Sequence, residues 1–240
     1  LPTNVNLILF TPEETARPLP RHDPRARHLL DVLQRRPGDA FDAGLRDGPR
    51  GKGMVTAITA DALTLTFNWG EPPPPADPIT LLIGLPRPQT ARKILREATA
   101  LGVAALHFVR TDRSDPAYAA SSLWTDGEWE RQLVAGAEQA FCTRLPTVTH
   151  GHVLDAVISS PGLRLALDNY EAPRPLSQLC TAGTAALVLA FGAERGWSAG
   201  ERQKLWAHDF QFAHLGTRVL RLETAVVAAL AIVKARRGAM

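Results

Sequence analysis

Two stretches decide how this chain is read: Leu187-Val188-Leu189-Ala190-Phe191-Gly192-Ala193-Glu194-Arg195-Gly196 and Leu215-Gly216-Thr217-Arg218-Val219-Leu220-Arg221-Leu222-Glu223-Thr224-Ala225. The first is a short apolar run, typical of a buried strand, that enters a turn flanked by glycines. Ser198 then offers a helix N-cap, and Glu201 stands three residues on, which is the pattern of a capping box. The second follows a short strand over Phe210–Leu215, bends at Gly216 and enters a helix at about Leu222. Such junctions present backbone N–H and C=O groups at the carboxyl edge of a sheet. Open α/β sheets bind small ligands there.

Outward from these stretches the chain alternates. Strands are expected over Ile79–Leu85, Ala104–Val109, Leu163–Leu167 and Ala185–Phe191. Helices are expected over Gln89–Leu101, which Gly102 ends, Asp126–Ala140 and Val153–Ser159. Val- and Leu-rich strands interleaved with helices imply an α/β fold, with a mostly parallel sheet covered by helices on both faces. The last helix carries Ala225-Val226-Val227-Ala228-Ala229-Leu230-Ala231-Ile232-Val233, apolar on every side. A helix of that kind is buried all round. A core position in one chain and a subunit interface both satisfy that requirement.

Glu71-Pro72-Pro73-Pro74-Pro75-Ala76-Asp77-Pro78 reads as a linker, because successive prolines favour extended polyproline II. Residues 1–70, 71–78 and 79–240 are therefore expected to be a small β-domain, a linker and an α/β domain. In the first, strands are expected over Asn4–Phe10, Ala40–Leu45, Gly51–Ile58 and Ala62–Asn68, with one helix over Pro24–Arg36. This composition suits a small β-barrel.

The 240 residues are 45% hydrophobic and 21% charged, ordinary values for a globular protein. No run of about 18 apolar residues exists, so no membrane-spanning helix is expected. Leu1–Phe10 lacks a basic region and reads as a strand rather than a signal peptide. Two cysteines, Cys142 and Cys180, do not make a disulfide framework, and a reduced, cytoplasmic setting is expected. Of the 27 basic residues, 23 are arginine. Nine basic and five acidic residues lie between Arg17 and Lys52. Arginine suits bidentate phosphate contact, although an arginine-rich genome accounts for the bias equally well.

The chain resembles the family of small-subunit ribosomal RNA uracil-N3 methyltransferases (RsmE-like), of the SPOUT superfamily. The residues that carry the likeness include His28-Leu29, Val32-Leu33, Pro37-Gly38-Asp39, Leu101-Gly102-Val103, the Arg113 loop, Glu138-Gln139 and Leu145-Pro146. They continue through Gly192-x-Glu194-x-Gly196 to Leu215–Ala225, the longest and most specific motif. The resemblance implies a PUA-like β-barrel that helps hold RNA. It also implies a trefoil-knotted SPOUT domain, mostly parallel with helices on both faces, that binds S-adenosylmethionine and forms a homodimer. The family's turn commonly reads Gly-Pro-Glu-Gly-Gly where this chain has Gly192-Ala193-Glu194-Arg195-Gly196. Asn4, Asn6, Gln34 and Phe141-Cys142 stand where the family often has arginine. These departures point to a diverged paralogue.

The implied reaction is methylation of a uridine at N3 in small-subunit ribosomal RNA. Positioning and electrostatics would supply most of the acceleration. A cation near the uracil oxygens would stabilise the anion left when N3 loses its proton. Arg221 is the first candidate and Arg218 the second, with ion pairs to Glu223 or Glu194 as the structural alternative. Leu167, Phe191, Gly192, Glu194, Gly196, Leu215, Gly216, Val219, Leu220, Leu222 and Thr224 are candidates for the cofactor site. The apolar ones among them would otherwise be core, and Glu223 and Thr224 would cap the last helix. Arg21, Arg25, Arg27, Arg35 and Arg113 are candidates for RNA contact, with a solvated basic face as the alternative. His150-x-His152 has the spacing of a metal pair but no third ligand nearby, so no metal is expected. A paralogue that binds RNA without catalysis is the competing function. An α/β enzyme for another phosphate-containing ligand is disfavoured, because no Gly-rich phosphate loop is present.

Overall fold

The structure is a computed structural model that describes residues 7–180, 182–183 and 185–238. It divides into two compact units. One holds the chain up to Pro75 together with Ala137–Leu145; the other holds Ala76–Gly136 and the chain from Pro146.

The first unit contains strands β1 (Leu7–Phe10), β2 (Leu19–Pro20), β3 (Ala40–Leu45), β4 (Arg50–Ile58) and β5 (Ala62–Trp69). They form a barrel-like sheet in the order β1-β3-β4-β5-β2. β1 pairs parallel with β3, and the other pairs are antiparallel. Ile8, Phe10, Leu19, Leu29, Phe41, Val55 and Leu63 fill its core. The edge of the Phe67 ring meets Phe10, and its face stacks on Trp69 at 5.0 Å. Residues 4–6 of the expected first strand lie outside the described residues. Two one-turn helices, α1 (Pro12–Thr15) and α2 (Pro24–Arg27), interrupt the strands. The single helix expected over Pro24–Arg36 is not formed. After α2 the chain winds into a π turn, His28–Val32, which leaves Val32 exposed. Gln34 then takes a left-handed φ of 52°, and no α-helix continues through such a residue.

Arg25 ties this corner together. Its guanidinium donates to both carboxylate oxygens of Glu14, both of Asp23 and the Leu9 carbonyl, at 2.7–3.1 Å. It also lies 5.0 Å from the Phe10 ring centroid. All of its donors are thus used inside the protein. The hydrogen bonds from Arg25 hold the Glu14 carboxyl below the usual carboxylate range. For Asp23, burial opposes the same effect, but the bonds and charge of Arg25 outweigh it.

The second unit is a seven-stranded sheet of β6 (Asp77–Gly84), β7 (Val103–Arg110), β8 (Thr147–Val153), β9 (Leu163–Leu167), β10 (Arg174–Pro175), β11 (Leu187–Phe191) and β12 (Gln211–His214). The order is β10-β12-β9-β11-β6-β7-β8, and every pairing is parallel. The central strands β6 and β11 are continuous apolar runs because both of their faces are covered. Leu82, Val188, Ala190, Ala166 and Phe212 pack with Trp197 and Leu205. The alternate residues Leu81, Ile83, Leu187 and Leu189 point the other way and are buried as well. The helices are α3 (Pro88–Ala100), α4 (Ser122–Thr125), α5 (Glu128–Gln139), α6 (Leu176–Leu179), α7 (Ala199–Ala207) and α8 (Leu222–Arg237).

Two expectations are corrected here. The segment read as linker to Pro78 already belongs to a strand from Asp77, whose N–H donates to the Gly102 carbonyl at 3.0 Å. The helix expected over Val153–Ser159 is only a single turn, Leu154–Ala156, and strand β8 precedes it. Its Thr-Val-Thr-His-Gly-His-Val sequence conceals a half-exposed edge strand, which bulges at Gly151 with φ 79°. Of the two placements left open for the last helix, a core position within this chain is not met in full, because α8 is not enclosed in it. Val226, Ala229, Leu230 and Val233 are buried, whereas Val227, Ala228, Ala231 and Ile232 are partly exposed.

Replacement of Arg25 by alanine is expected to cost about 2 kcal/mol, the worth of hydrogen bonds between charged partners. Glu14 and Asp23 have lowered folded-state values, so their contribution is present above the ordinary carboxylate values near 4.5 and 3.8. It is lost as the pH falls through the lowered ones. Urea titrations of both proteins should show the Arg25→Ala deficit at pH 7 shrinking below pH 4.

Candidate functional site

The site begins with strand register. Leu167 is level with Phe191 on one side and with Ala213 on the other. Three neighbouring parallel strands, β12, β9 and β11, therefore stop on one line, and their following loops open on the same edge. Between those loops lies a cavity of about 230 Å³. Leu167–Tyr170, Phe191–Gly196, Leu215, Arg218–Leu220, Leu222 and Ala225 line it.

The two quoted stretches are thus brought together. Of the candidate cofactor residues, Leu167, Phe191, Gly192, Glu194, Gly196, Leu215, Val219, Leu220 and Leu222 line the cavity. Gly216 and Thr224 do not. Gly216 makes the bend with φ 116°, and its N–H donates to Nδ1 of His214 at 3.1 Å. Thr224 is exposed in the first turn of α8. Of the two candidate arginines, Arg218 lines the cavity; Arg221 is the exposed N-cap residue of α8. Neither forms an ion pair among the described residues. Glu223 pairs with Lys93 of α3 at 3.1 Å instead. Burial opposes its ionisation, but its own backbone N–H, Lys93 and Arg221 hold its carboxyl below the usual range.

The Phe191–Gly196 turn is built by close backbone approach. A Cβ on Gly192 would sit 2.6 Å from the Gly196 carbonyl carbon and 2.8 Å from the Trp197 nitrogen. An oxygen of Glu194 accepts from the backbone N–H of Arg87, just ahead of α3, at 3.0 Å. Ser198 and Glu201 form the expected capping box on α7. Glu201 also accepts from the Asp112 N–H at 2.8 Å, and the Ser198 hydroxyl donates to Asp112 at 2.5 Å. In the same loop, Arg113 donates to the Arg195 carbonyl at 2.7 Å. Arg113 and Arg195 are both exposed.

Sequence reasoning missed the third loop, Asp168–Tyr170. Asp168 is nearly enclosed, and its Oδ1 accepts from the backbone N–H of Tyr170 (2.6 Å) and Glu171 (2.9 Å). Its Oδ2 accepts from Arg202 Nε of α7 at 2.8 Å. The available signal was the carboxyl end of the expected strand Leu163–Leu167, which obeys the edge rule applied to the other two strands.

Elsewhere, Arg21 is exposed and donates to the Thr59 carbonyl at 3.0 Å. Arg27 is exposed and Arg35 is half-buried. Arg25, used up by Glu14 and Asp23, is a structural residue and has no donor left for a phosphate. The His150 ring stacks on Trp124 at 4.6 Å, and burial lowers its pKa. Among the described residues no three His, Cys, Asp or Glu side chains are grouped to hold a metal ion.

A sequence model described as an RNA methyltransferase domain matches residues 72–234. The chain is 33% identical to the ribosomal RNA small subunit methyltransferase E of Treponema pallidum, over 98% of this chain and 92% of that one. The ribosomal RNA small subunit methyltransferase E from Neisseria gonorrhoeae, solved bound to S-adenosyl methionine, superposes with a TM-score of 0.75 at 24% identity. The match covers 98% of each chain. A putative methyltransferase from Legionella pneumophila, solved with bound SAM, gives a TM-score of 0.78 at 20% identity over 97% of this chain and 98% of that one. These two likenesses are likenesses of fold.

Gly192→Ala is expected to destabilise the chain by about 1–3 kcal/mol, since backbone rather than a flexible side chain opposes the added methyl. Chemical denaturation will check it. A variant as stable as the parent would show that the turn has room to spare.

Proposed function

The chain belongs to the family of RNA methyltransferase domains that includes the ribosomal small-subunit methyltransferases E, and on that premise we propose that it methylates a uridine at N3 in small-subunit ribosomal RNA, with S-adenosylmethionine as donor. The observation that carries this reading is the cavity where three parallel strands end together. Apolar side chains share its lining with Asp168, Asn169, Glu194 and two arginines, Arg195 and Arg218, and with a turn whose glycine leaves no room for a side chain. These features fit an adenosine-bearing ligand: Leu167, Phe191, Leu215, Val219, Leu220 and Leu222 offer apolar surface to a base, and the Phe191–Gly196 turn offers backbone groups.

S-adenosylmethionine supplies an electrophilic methyl carbon when bound. The remaining work falls to the chain. Arg218 at the cavity would hold the uracil or an adjacent phosphate. Arg221 stands at the N-terminus of α8, where the helix also favours negative charge. It would stabilise the anion that forms as N3 loses its proton. Asp168 would shape its loop rather than take the proton, since its oxygens accept from Tyr170, Glu171 and Arg202.

The same reading gives the first unit, with exposed Arg21 and Arg27, an RNA-holding role as a PUA-like module. Arg113 would also contact RNA, and the setting would be the cytoplasm, where ribosomes are found. It includes a homodimer, supported by the partly exposed apolar residues Val227, Ala228, Ala231 and Ile232 on α8. It also includes a trefoil knot in the second unit, supported by family membership. The competing reading, a paralogue that binds RNA without catalysis, draws on Arg195, which replaces a family glycine at the cavity lining.

Mass spectrometry of ribosomal RNA nucleosides from a deletion strain tests the proposal. Loss of 3-methyluridine supports it, and unchanged 3-methyluridine overturns it. In the purified enzyme, Arg221→Ala should lower kcat by about 10²–10³ while leaving the affinity for S-adenosylhomocysteine unchanged. Full activity in that variant would remove Arg221 from the mechanism.

A further inference from the structure

The cavity has one wall that the proposed function does not use. Tyr170 lines the cavity and is 82% exposed, an unusual state for so large a ring. The backbone that carries it is nonetheless held in place. The Asp168 carboxylate accepts the Tyr170 N–H at 2.6 Å and the Glu171 N–H at 2.9 Å, so the loop closes on its own aspartate. The Asp168 N–H donates to the Ala213 carbonyl of β12 at 3.0 Å. Arg202 donates its Nε to Asp168 Oδ2 at 2.8 Å, with side chains only 11% and 2% exposed. The Arg202 guanidinium carbon also lies 5.6 Å from the Tyr170 ring centroid. One nearly buried cation thus touches both the carboxylate that shapes the loop and the ring that the loop displays.

An exposed tyrosine gives no stability through burial. Besides holding the loop, a network of this kind has a consequence at the cavity. The ring is flat, it lines a cavity whose other residues include the apolar Leu167, Phe191 and Leu220, and π-cation contact with Arg202 limits its freedom. A planar heteroaromatic group is the ligand chemistry that such a wall accepts.

We propose that Tyr170 is a stacking wall for the adenine of the methyl donor, and that Arg202, acting through Asp168, is the positioning residue that holds it there. The inference rests on the cavity being the donor site. Arg202 reaches the ligand only through Asp168 and Tyr170, so its effect is one of geometry. A lysine keeps the charge beside Asp168 while losing the planar fork, and retains part of that effect.

Calorimetric titration of the full chain with S-adenosylhomocysteine and with 5′-methylthioadenosine, which lacks the amino-acid end, tests this. Tyr170→Ala should weaken both ligands about tenfold, with an unchanged Tm, because a stacked base is worth about that much. Tyr170→Phe should bind as the parent does. Arg202→Ala should lose about tenfold for both ligands and also lose Tm, since it leaves a buried carboxylate unpaired. Arg202→Lys should recover affinity to within about threefold of the parent. If Arg202→Ala does not fold, the Tyr170 variants decide the matter. Parent-like affinity in Tyr170→Ala would overturn the proposal, as would a loss confined to S-adenosylhomocysteine. A parent chain that binds neither ligand would instead overturn the donor site itself, and this inference with it.

Discussion

Parallel pairing of Phe191 with Leu167, and of Leu167 with Ala213, ends three neighbouring strands on one line. No single residue of the cavity would matter without that alignment. It turns three loops, distant in sequence, toward a common space. The alignment itself rests on burial. β11 is enclosed along its whole length, and β6 and β9 flank it. A one-residue slip would send Val188 and Ala190 to the wrong face of a sheet that is packed on both. The register is therefore held by the apolar core, and the site inherits its precision from the core.

The three loops are fixed by different means. The Phe191–Gly196 turn is held by steric fit, with Gly192 against Gly196 and Trp197. The Asp168 loop is held by charge, through a nearly buried ion pair with Arg202. Such a pair gains little net stability, but breaking it on one side is costly, so it specifies geometry. The Leu215–Leu222 segment is different. Its ends are set by β12 and by the first turn of α8, while Val219 is 80% exposed between them. Two rigid walls and one open wall are what a site needs that must admit a ligand and then a polymer.

Much of this was legible in the residues. The run Leu187–Phe191 is too apolar and too short for anything but a buried strand, and Ser198 with Glu201 announces the helix after it. Thr147–Val153 was hidden because an edge strand needs apolar residues on only part of its surface, and this one carries two histidines and a bulging glycine. The grouping of Ala137–Leu145 with the first unit is a long-range fact that no local pattern expresses. Arg25 illustrates a related limit. Its place in a basic stretch reads as phosphate contact, yet Glu14 and Asp23 occupy all of its donors except the one given to the Leu9 carbonyl. Composition identifies a charge, and only the fold shows what neutralises it. Asp168 was missed for the same reason, since its importance comes from Arg202, thirty-four residues away.

The central claim is that the loops following β9, β11 and β12 together form one binding site for an adenosine-bearing donor. A crystal structure of the chain soaked with S-adenosylhomocysteine tests it most directly. The account predicts the adenosine seated against Leu167–Tyr170, the Phe191–Gly196 turn and Leu215–Leu222 at once. Density for the ligand at any other place on the chain, or a cavity that stays closed to it while the ligand binds elsewhere, would contradict the account.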